Sequence, residues 1–299
     1  MGKDKNSNKS DRIVWVDNLK GLLLILTCSS HFSGKQWPLD DILGLSTTVY
    51  VPIFVVLSGY LCKPLKPGMT VWGGQIALVR RKTKTLLIPY FFFSIIAFVH
   101  GVVMHHDVNQ MLYQMLYRGS SCGISTPMYF VSVLFVTSVL FSWIAWCSYR
   151  HNKVFWIIAI IGLIVIRSIT YDTKILLPWH LKDLPFWGAL YITGYLMRLV
   201  EIDRNKFVNM LLPMKSIGVL NYVAVNGIIF LGAHNFLNIY FKEFLNICGI
   251  EIEGWSLFVF TFIFVYAILY MIVVPIMNTC LYYIIGKQKT NWRDNYYLR

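Results

Sequence analysis

The stretch Asp17-Asn-Leu-Lys20-Gly-Leu-Leu-Leu-Ile-Leu-Thr27-Cys28-Ser-Ser-His31 decides how this chain is read. It is apolar enough to span a membrane as a helix, yet it carries a carboxylate, an ammonium and an imidazole. Ionisable groups cost roughly 2.5–3.5 kcal/mol each at the centre of such a helix on insertion scales, and they usually serve function. At about 100° per residue, the step from Lys20 to His31 closes three turns with about 20° left over. Both residues therefore sit on one face, about 16 Å apart along the axis. That face sets a cation near one membrane surface and an imidazole towards the other.

The remainder of the chain agrees with a membrane setting. Its 299 residues are 57% hydrophobic and 14% charged, where a soluble domain carries about 25% charged residues. Apolar runs near the spanning length of about 20 residues fall at 15–33, 43–62, 86–104, 127–147, 154–170, 184–200, 215–233 and 255–285. They predict an all-α, polytopic transmembrane helix bundle of about eight spans (8–10), one membrane-embedded domain over 1–299. The segment 1–12 is a basic tail and 286–299 a C-terminal tail. The run at 215–233 is diluted by Asn221, Asn226 and glycines, and that at 255–285 is long enough to tilt strongly or to break at Pro275. The polar N-terminus has the look of a signal n-region, but no small-residue cleavage site follows, so the first span is read as retained.

The net charge of +13 reports cytoplasmic loops and contact with anionic membrane lipid, and nucleic acid is not an expected partner. With the N-terminus inside, twenty of the 27 lysines and arginines fall on the cytoplasmic side and six outside, with Lys20 at the inner membrane edge. This bias places both termini in the cytoplasm, Lys20 near the cytoplasm and His31 near the outer face. The six cysteines are scattered without a C-x-x-C pair, so neither a metal site nor a disulfide framework is expected.

His31 is the leading catalytic candidate. A neutral imidazole either takes a proton from a hydroxyl or accepts an acyl group itself; the competing reading is a histidine bonded to a neighbouring helix. Asp17 and Lys20 are helix neighbours. They form either a self-neutralising pair or a unit in which Lys20 meets a phosphate and Asp17 holds it. The cluster Arg80-Arg81-Lys82-Thr-Lys84 before Pro89 is either a positive-inside anchor opening a span or a grip on a nucleotide's phosphates. Ser58-Gly59-Tyr60 ends the second run, where Ser-Gly admits close approach of another helix. His234 and Asn235 supply a second imidazole at the expected outer surface. His100, His105, His106 and Asp107 are read as a solvated loop rather than a metal site.

With these residues in hand, the chain resembles the acyltransferase 3 family of bacterial membrane O-acyltransferases, including polysaccharide O-acetylases of the fucose 4-O-acetylase kind. The resemblance rests on Asp17, Lys20, Gly21 and His31. It continues with Phe54, Ser58, Gly59, Tyr60 and Leu61, then Arg81, Lys84 and Pro89. Further on come Pro127, Tyr129 and Phe130, then Gly194-Tyr195-Leu196-Met-Arg198, and Asn226 to His234. Tyr129 stands where tryptophan is usual, Lys84 where arginine is usual, and the family generally has ten spans. The resemblance implies a multi-pass protein of the bacterial cytoplasmic membrane. Its reaction would move an acyl group, usually acetyl, from cytoplasmic acetyl-CoA to a sugar hydroxyl of an exopolysaccharide, lipopolysaccharide or other surface glycan. Acyl-CoA is then a co-substrate, with no permanently bound cofactor. His31 would be catalytic, with Asp17 and Lys20 beside it; Lys20, Arg81 and Lys84 would hold the donor; Ser58, Tyr60, Tyr129, Asn226 and His234 would lie on the acceptor side. The alternatives are a transporter or flippase of glycan precursors, in which Asp17, Lys20 and His31 line a path, and a shortened, inactive family member. No internal repeat of the kind common in transporters is visible.

Overall fold

The structure is a computed structural model that describes residues 13–32, 45–120, 123–151, 160–165, 167–168, 177–199 and 217–284. Among the described residues there is no strand. The helices are α1 (Val14–Ser29), α2 (Val51–Tyr60), α3 (Val71–Val103), α4 (Val108–Leu112), α5 (Tyr129–His151), α6 (Leu184–Leu199), α7 (Gly218–Val225), α8 (Gly227–Ile247) and α9 (Gly254–Thr279). By length and composition α3, α5 and α9 can cross a membrane. The pair α7 and α8, bent by 87° at their junction, makes a fourth if read as one broken span.

The expected runs at 15–33, 43–62, 127–147 and 184–200 fall on α1, α2, α5 and α6. Three boundaries differ. The run expected at 86–104 begins at Val71, so the basic cluster at 80–84 lies inside a helix rather than ahead of one. The run expected at 215–233 continues to Ile247 and breaks at Asn226, whose backbone leaves the helical region. The final run passes Pro275 without a break and ends at Thr279. The expected run at 154–170 lies outside the described residues except for 160–165 and 167–168, and both tails lie outside them.

The prolines explain the local form of three helices. Pro52, Pro89 and Pro275 each follow a π-turn, at Ser46–Tyr50, Thr83–Leu87 and Leu269–Val273. Proline has no N–H to donate, and its ring collides with the carbonyl four residues back. A wider turn that bonds five residues back relieves the collision and keeps the helix running.

The bundle is inside-out relative to a soluble one. Val103 is 68% exposed and Met271 72%, whereas Ser94, Ser132, Ser142, Asn226, His234 and Thr261 are buried. Apolar side chains facing outward suit lipid, and polar side chains inside find partners on other helices. Thus Ser142 Oγ meets the Tyr191 hydroxyl at 2.6 Å.

Two close helix crossings set the frame. A Cβ on Gly59 would overlap the Tyr191 carbonyl, and one on Gly194 would overlap that of Val56, so α2 and α6 meet backbone to backbone. At the same crossing Arg198 donates to the Tyr60 carbonyl at 2.9 Å and lies 5.9 Å from the Tyr60 ring. A guanidinium there satisfies a carbonyl left open at the end of α2. On the other side Gly21 of α1 lies against the Leu220 backbone of α7, and Gly227 of α8 against Leu24. Asn18 accepts from the Ile217 amide at 3.2 Å.

Candidate active site

α1 ends at Ser29, and Ser30 to Phe32 form a turn. His31 therefore lies just past the helix rather than within it. Its backbone is held by α8. Asn238 donates to the His31 carbonyl at 2.8 Å, and the Lys242 ammonium to the Phe32 carbonyl at 3.2 Å. These are carbonyls that a helix end leaves unsatisfied. Asn235 of α8 donates to the Ile124 carbonyl at 2.6 Å, tying the approach to α5 into the same region. The polar residues 234, 238 and 242 recur every four positions, so one stripe of α8 faces α1.

His31 and His234 come together. Their ring centroids are 5.2 Å apart with planes at 41°. His31 is exposed, while His234 is fully buried. His234 Nδ1 lies 2.9 Å from the Phe230 carbonyl, the backbone acceptor one turn earlier. A carbonyl at that place fixes the proton on Nδ1 and leaves Nε2 as a lone-pair acceptor. Phe32 packs edge-on against His234, with centroids 6.3 Å apart.

A cavity of about 50 Å³ adjoins His31, lined by Leu24, Thr27, Val51, Phe54, Pro127, Tyr129, Phe130 and Leu231 besides His31. Three stretches singled out from the sequence meet here: the end of α1, Phe54 of α2, and Pro127, Tyr129 and Phe130 at the start of α5. Tyr129 also approaches His180, with centroids 6.0 Å apart. His180 and Trp179 both hold positive φ, 59° and 50°, a conformation uncommon for bulky residues. Trp179 is anchored by its indole N–H on the Leu116 carbonyl at 2.9 Å.

The other candidates lie elsewhere. Asp17 and Lys20 are half-buried towards the start of α1. Arg81 and Lys84 are exposed on α3. Between them Lys82 is half-buried, and both Lys20 and Arg81 repel its ammonium. Lys82 thus lies within the electrostatic reach of Lys20, and the spacing of Arg81 and Lys84 did not single it out. Tyr60 sits at this same end, its ring edge-on to Trp15 at 5.3 Å, and not at the His31 cavity. Ser58 lies in the α2–α6 crossing beside Gly59. Asn226 accepts from Asn278 at 3.0 Å and donates to the Tyr222 carbonyl at 2.9 Å, which holds the α7–α8 bend rather than approaching His31. His105 and His106 are exposed, and Asp107 caps α4 through the Asn109 and Gln110 amides. Among the described residues no group of three or more His, Cys, Asp or Glu is placed to hold a metal ion.

Sequence reasoning overlooked Asn238 and Lys242. Their four-residue steps from His234 on an apolar helix were the available signal. It also overlooked Thr27, four residues before His31.

Helices that turn apolar residues outward and polar ones inward, with no strand among the described residues, mark an integral membrane protein. It belongs to the acyltransferase 3 family: the family's acyltransferase domain matches residues 13–293. Membership implies membrane acyltransferase activity. No curated protein and no solved structure matches the chain.

Proposed function

We propose that this protein is an O-acetyltransferase of the bacterial cytoplasmic membrane, moving acetyl from cytoplasmic acetyl-CoA to a hydroxyl of a lipid-linked or surface carbohydrate. The observation that carries this reading is the His31 imidazole, exposed, clamped by α8 through its backbone and set beside a cavity (Asn238 to His31 O, 2.8 Å). At the far end of α1, Lys20, Lys82 and Arg81 gather positive charge suited to the phosphates of coenzyme A. The thioester arm then has about 14 Å of helix to cover from Lys20 to the end of α1 at Ser29, and the turn that carries His31 beyond it.

The sugar oxygen attacks the thioester carbonyl carbon while His31 takes the hydroxyl proton. The new C–O ester bond forms, the C–S bond breaks, and the sulfur leaves as a thiolate. His31 returns the proton to that sulfur, so the products are the acetyl ester and free coenzyme A. His234, packed on His31 from the buried side, fixes the ring's position. In this reading the chain crosses the membrane about eight times with both termini in the cytoplasm, and the acceptor approaches from the outer face.

The test is glycan O-acetylation in a host lacking its own O-acetylase, with wild type and His31→Ala compared at matched membrane levels. Labelled acetate on the glycan with wild type alone is the expected result. Equal label with His31→Ala would remove His31 from the chemistry.

A further inference from the structure

The helices beside His31 show how deep it lies. Its ring meets that of His234 on α8, with centroids 5.2 Å apart. Phe93 of α3 packs against Gly232, and the His100 ring meets that of Tyr240 at 5.7 Å, so α3 and α8 run the same way past the imidazole. Both keep apolar side chains outward beyond it: Val99, Val102 and Val103 of α3 and Ile239 of α8 are exposed. Exposed ionisable groups come next, Glu243 on α8 and His105, His106 and Asp107 after α3. From His234 to Glu243 is about 14 Å along the helix. Half of a hydrocarbon core of about 30 Å is about 15 Å. The exposed imidazole is therefore one leaflet deep in the lipid-facing belt. Lys242 adds a charge at the same place. At the rim of such a belt a lysine ordinarily carries its ammonium outward to the headgroups. Here the half-buried side chain reaches instead to the Phe32 carbonyl, 3.2 Å away and one residue from His31. Among the described residues no carboxylate pairs with it, its exposed neighbour Glu243 included. One carbonyl occupies one of three N–H donors and leaves the charge uncompensated.

We propose that the acceptor is a sugar joined through a phosphate ester to a membrane lipid, with Lys242 as the contact for that phosphate. The inference rests on the acyltransferase reading above and chooses between the acceptors it leaves open. A sugar held on a lipid is already at the membrane, and its anchor offsets the cost of bringing hydroxyls below the headgroups; a water-borne polymer has nothing to offset that cost. The phosphate supplies the negative charge that the Lys242 ammonium lacks. The ammonium is bound one residue from His31, so a phosphate held there sets the attached sugar beside the imidazole. The acetyl transfer is the one written above. The sugar oxygen gains the acetyl group, its proton passes through His31 to the sulfur, and the phosphate ester stays intact.

The experiment uses the full-length protein in membranes of a host lacking its own O-acetylase, supplied with acetyl-labelled acetyl-CoA. Label is read separately in solvent-extractable saccharide and in polymer, beside free coenzyme A. The expected result is label in the extractable fraction, released by mild acid as acetylated sugar. It should rise in a host blocked in passing sugars from lipid to polymer. Dodecyl phosphate, and not dodecanol, should compete with the acceptor. Lys242→Met keeps the length and removes the charge. It should raise KM for the extractable acceptor about tenfold and weaken dodecyl phosphate to a similar degree, with KM for acetyl-CoA changed less than about threefold. Lys242→Arg should restore most of both. The unchanged donor KM shows in the same variant that the bundle is folded. Label in polymer of the unblocked host with none in the extractable fraction of the blocked one overturns the lipid-borne acceptor and leaves the acyltransferase intact. Equal competition by dodecyl phosphate in wild type and Lys242→Met, or none in wild type, overturns the phosphate contact. No released coenzyme A and no label in either fraction overturns the acyltransferase reading and this one with it.

Discussion

His31 is held by its backbone and left open at its ring, whereas His234 is closed in on every side. The two rings therefore have different work. Replacing Asn238 by Leu removes the donor from the His31 carbonyl and leaves the imidazole chemistry untouched. Acetyl transfer should fall by about tenfold, as expected when one hydrogen bond that orients a reacting group is lost. Asn238→Gln should recover part of it, and initial-rate measurement on membranes decides. At the other end of α1, Lys82→Met should raise KM for acyl-CoA by about tenfold or more with kcat nearly unchanged, because a charged contact to a phosphate binds ground state and transition state alike. An effect on kcat alone would place Lys82 elsewhere in the reaction. His31 and His234 were each visible in the sequence, but their pairing was not. It joins residues some two hundred positions apart and depends on a bend at Asn226 that no local pattern announces. Lys82 was hidden for a simpler reason: in a run of basic residues, only the helix register inside the bundle decides which one turns inward.

At the scale of elements, the crossing of α2 and α6 shows what two weak signals have in common. Gly59 and Gly194 each lie against the partner helix's backbone, and Arg198 closes the crossing on the Tyr60 carbonyl. Ser58-Gly59-Tyr60 and Gly194-Tyr195-Leu196-Met-Arg198 are thus the two faces of one contact. The sequence showed that Ser-Gly favours close approach but not which helix would come. Gly194→Ala places a methyl against a carbonyl that cannot move without its helix. The melting temperature in detergent should drop by roughly 5 °C or more, and Arg198→Gln should cost less, since the aliphatic stem still packs.

For the whole molecule, composition and charge announced a membrane protein because spans must be apolar and loops basic, and these are bulk properties. Helix ends were less legible. Three prolines that ordinarily mark a break are absorbed by π-turns, and the basic cluster at 80–84 lies within a helix. Orientation is testable through two exposed, unpaired cysteines, Cys248 and Cys280. Cys248 follows α8 at the His31 end, and Cys280 follows α9 near the Asn226–Asn278 contact at the opposite end. With the termini inside, a membrane-impermeant maleimide applied to intact cells should label Cys248 and spare Cys280; the reverse pattern would invert the protein.

The π-turns also bear on how this chain tolerates insertion and deletion. A π-turn takes up one residue more than an α-turn while the helix on either side keeps facing its neighbours. Removing one residue from Leu269–Val273, together with Pro275→Ala, returns that stretch to a plain α-helix with both flanks still in register. The same deletion within Gly254–Ile268 would swing everything beyond it by about 100° and turn lipid-facing side chains inward. A spanning helix that elsewhere admits no change in length therefore has one place where a residue can be given up.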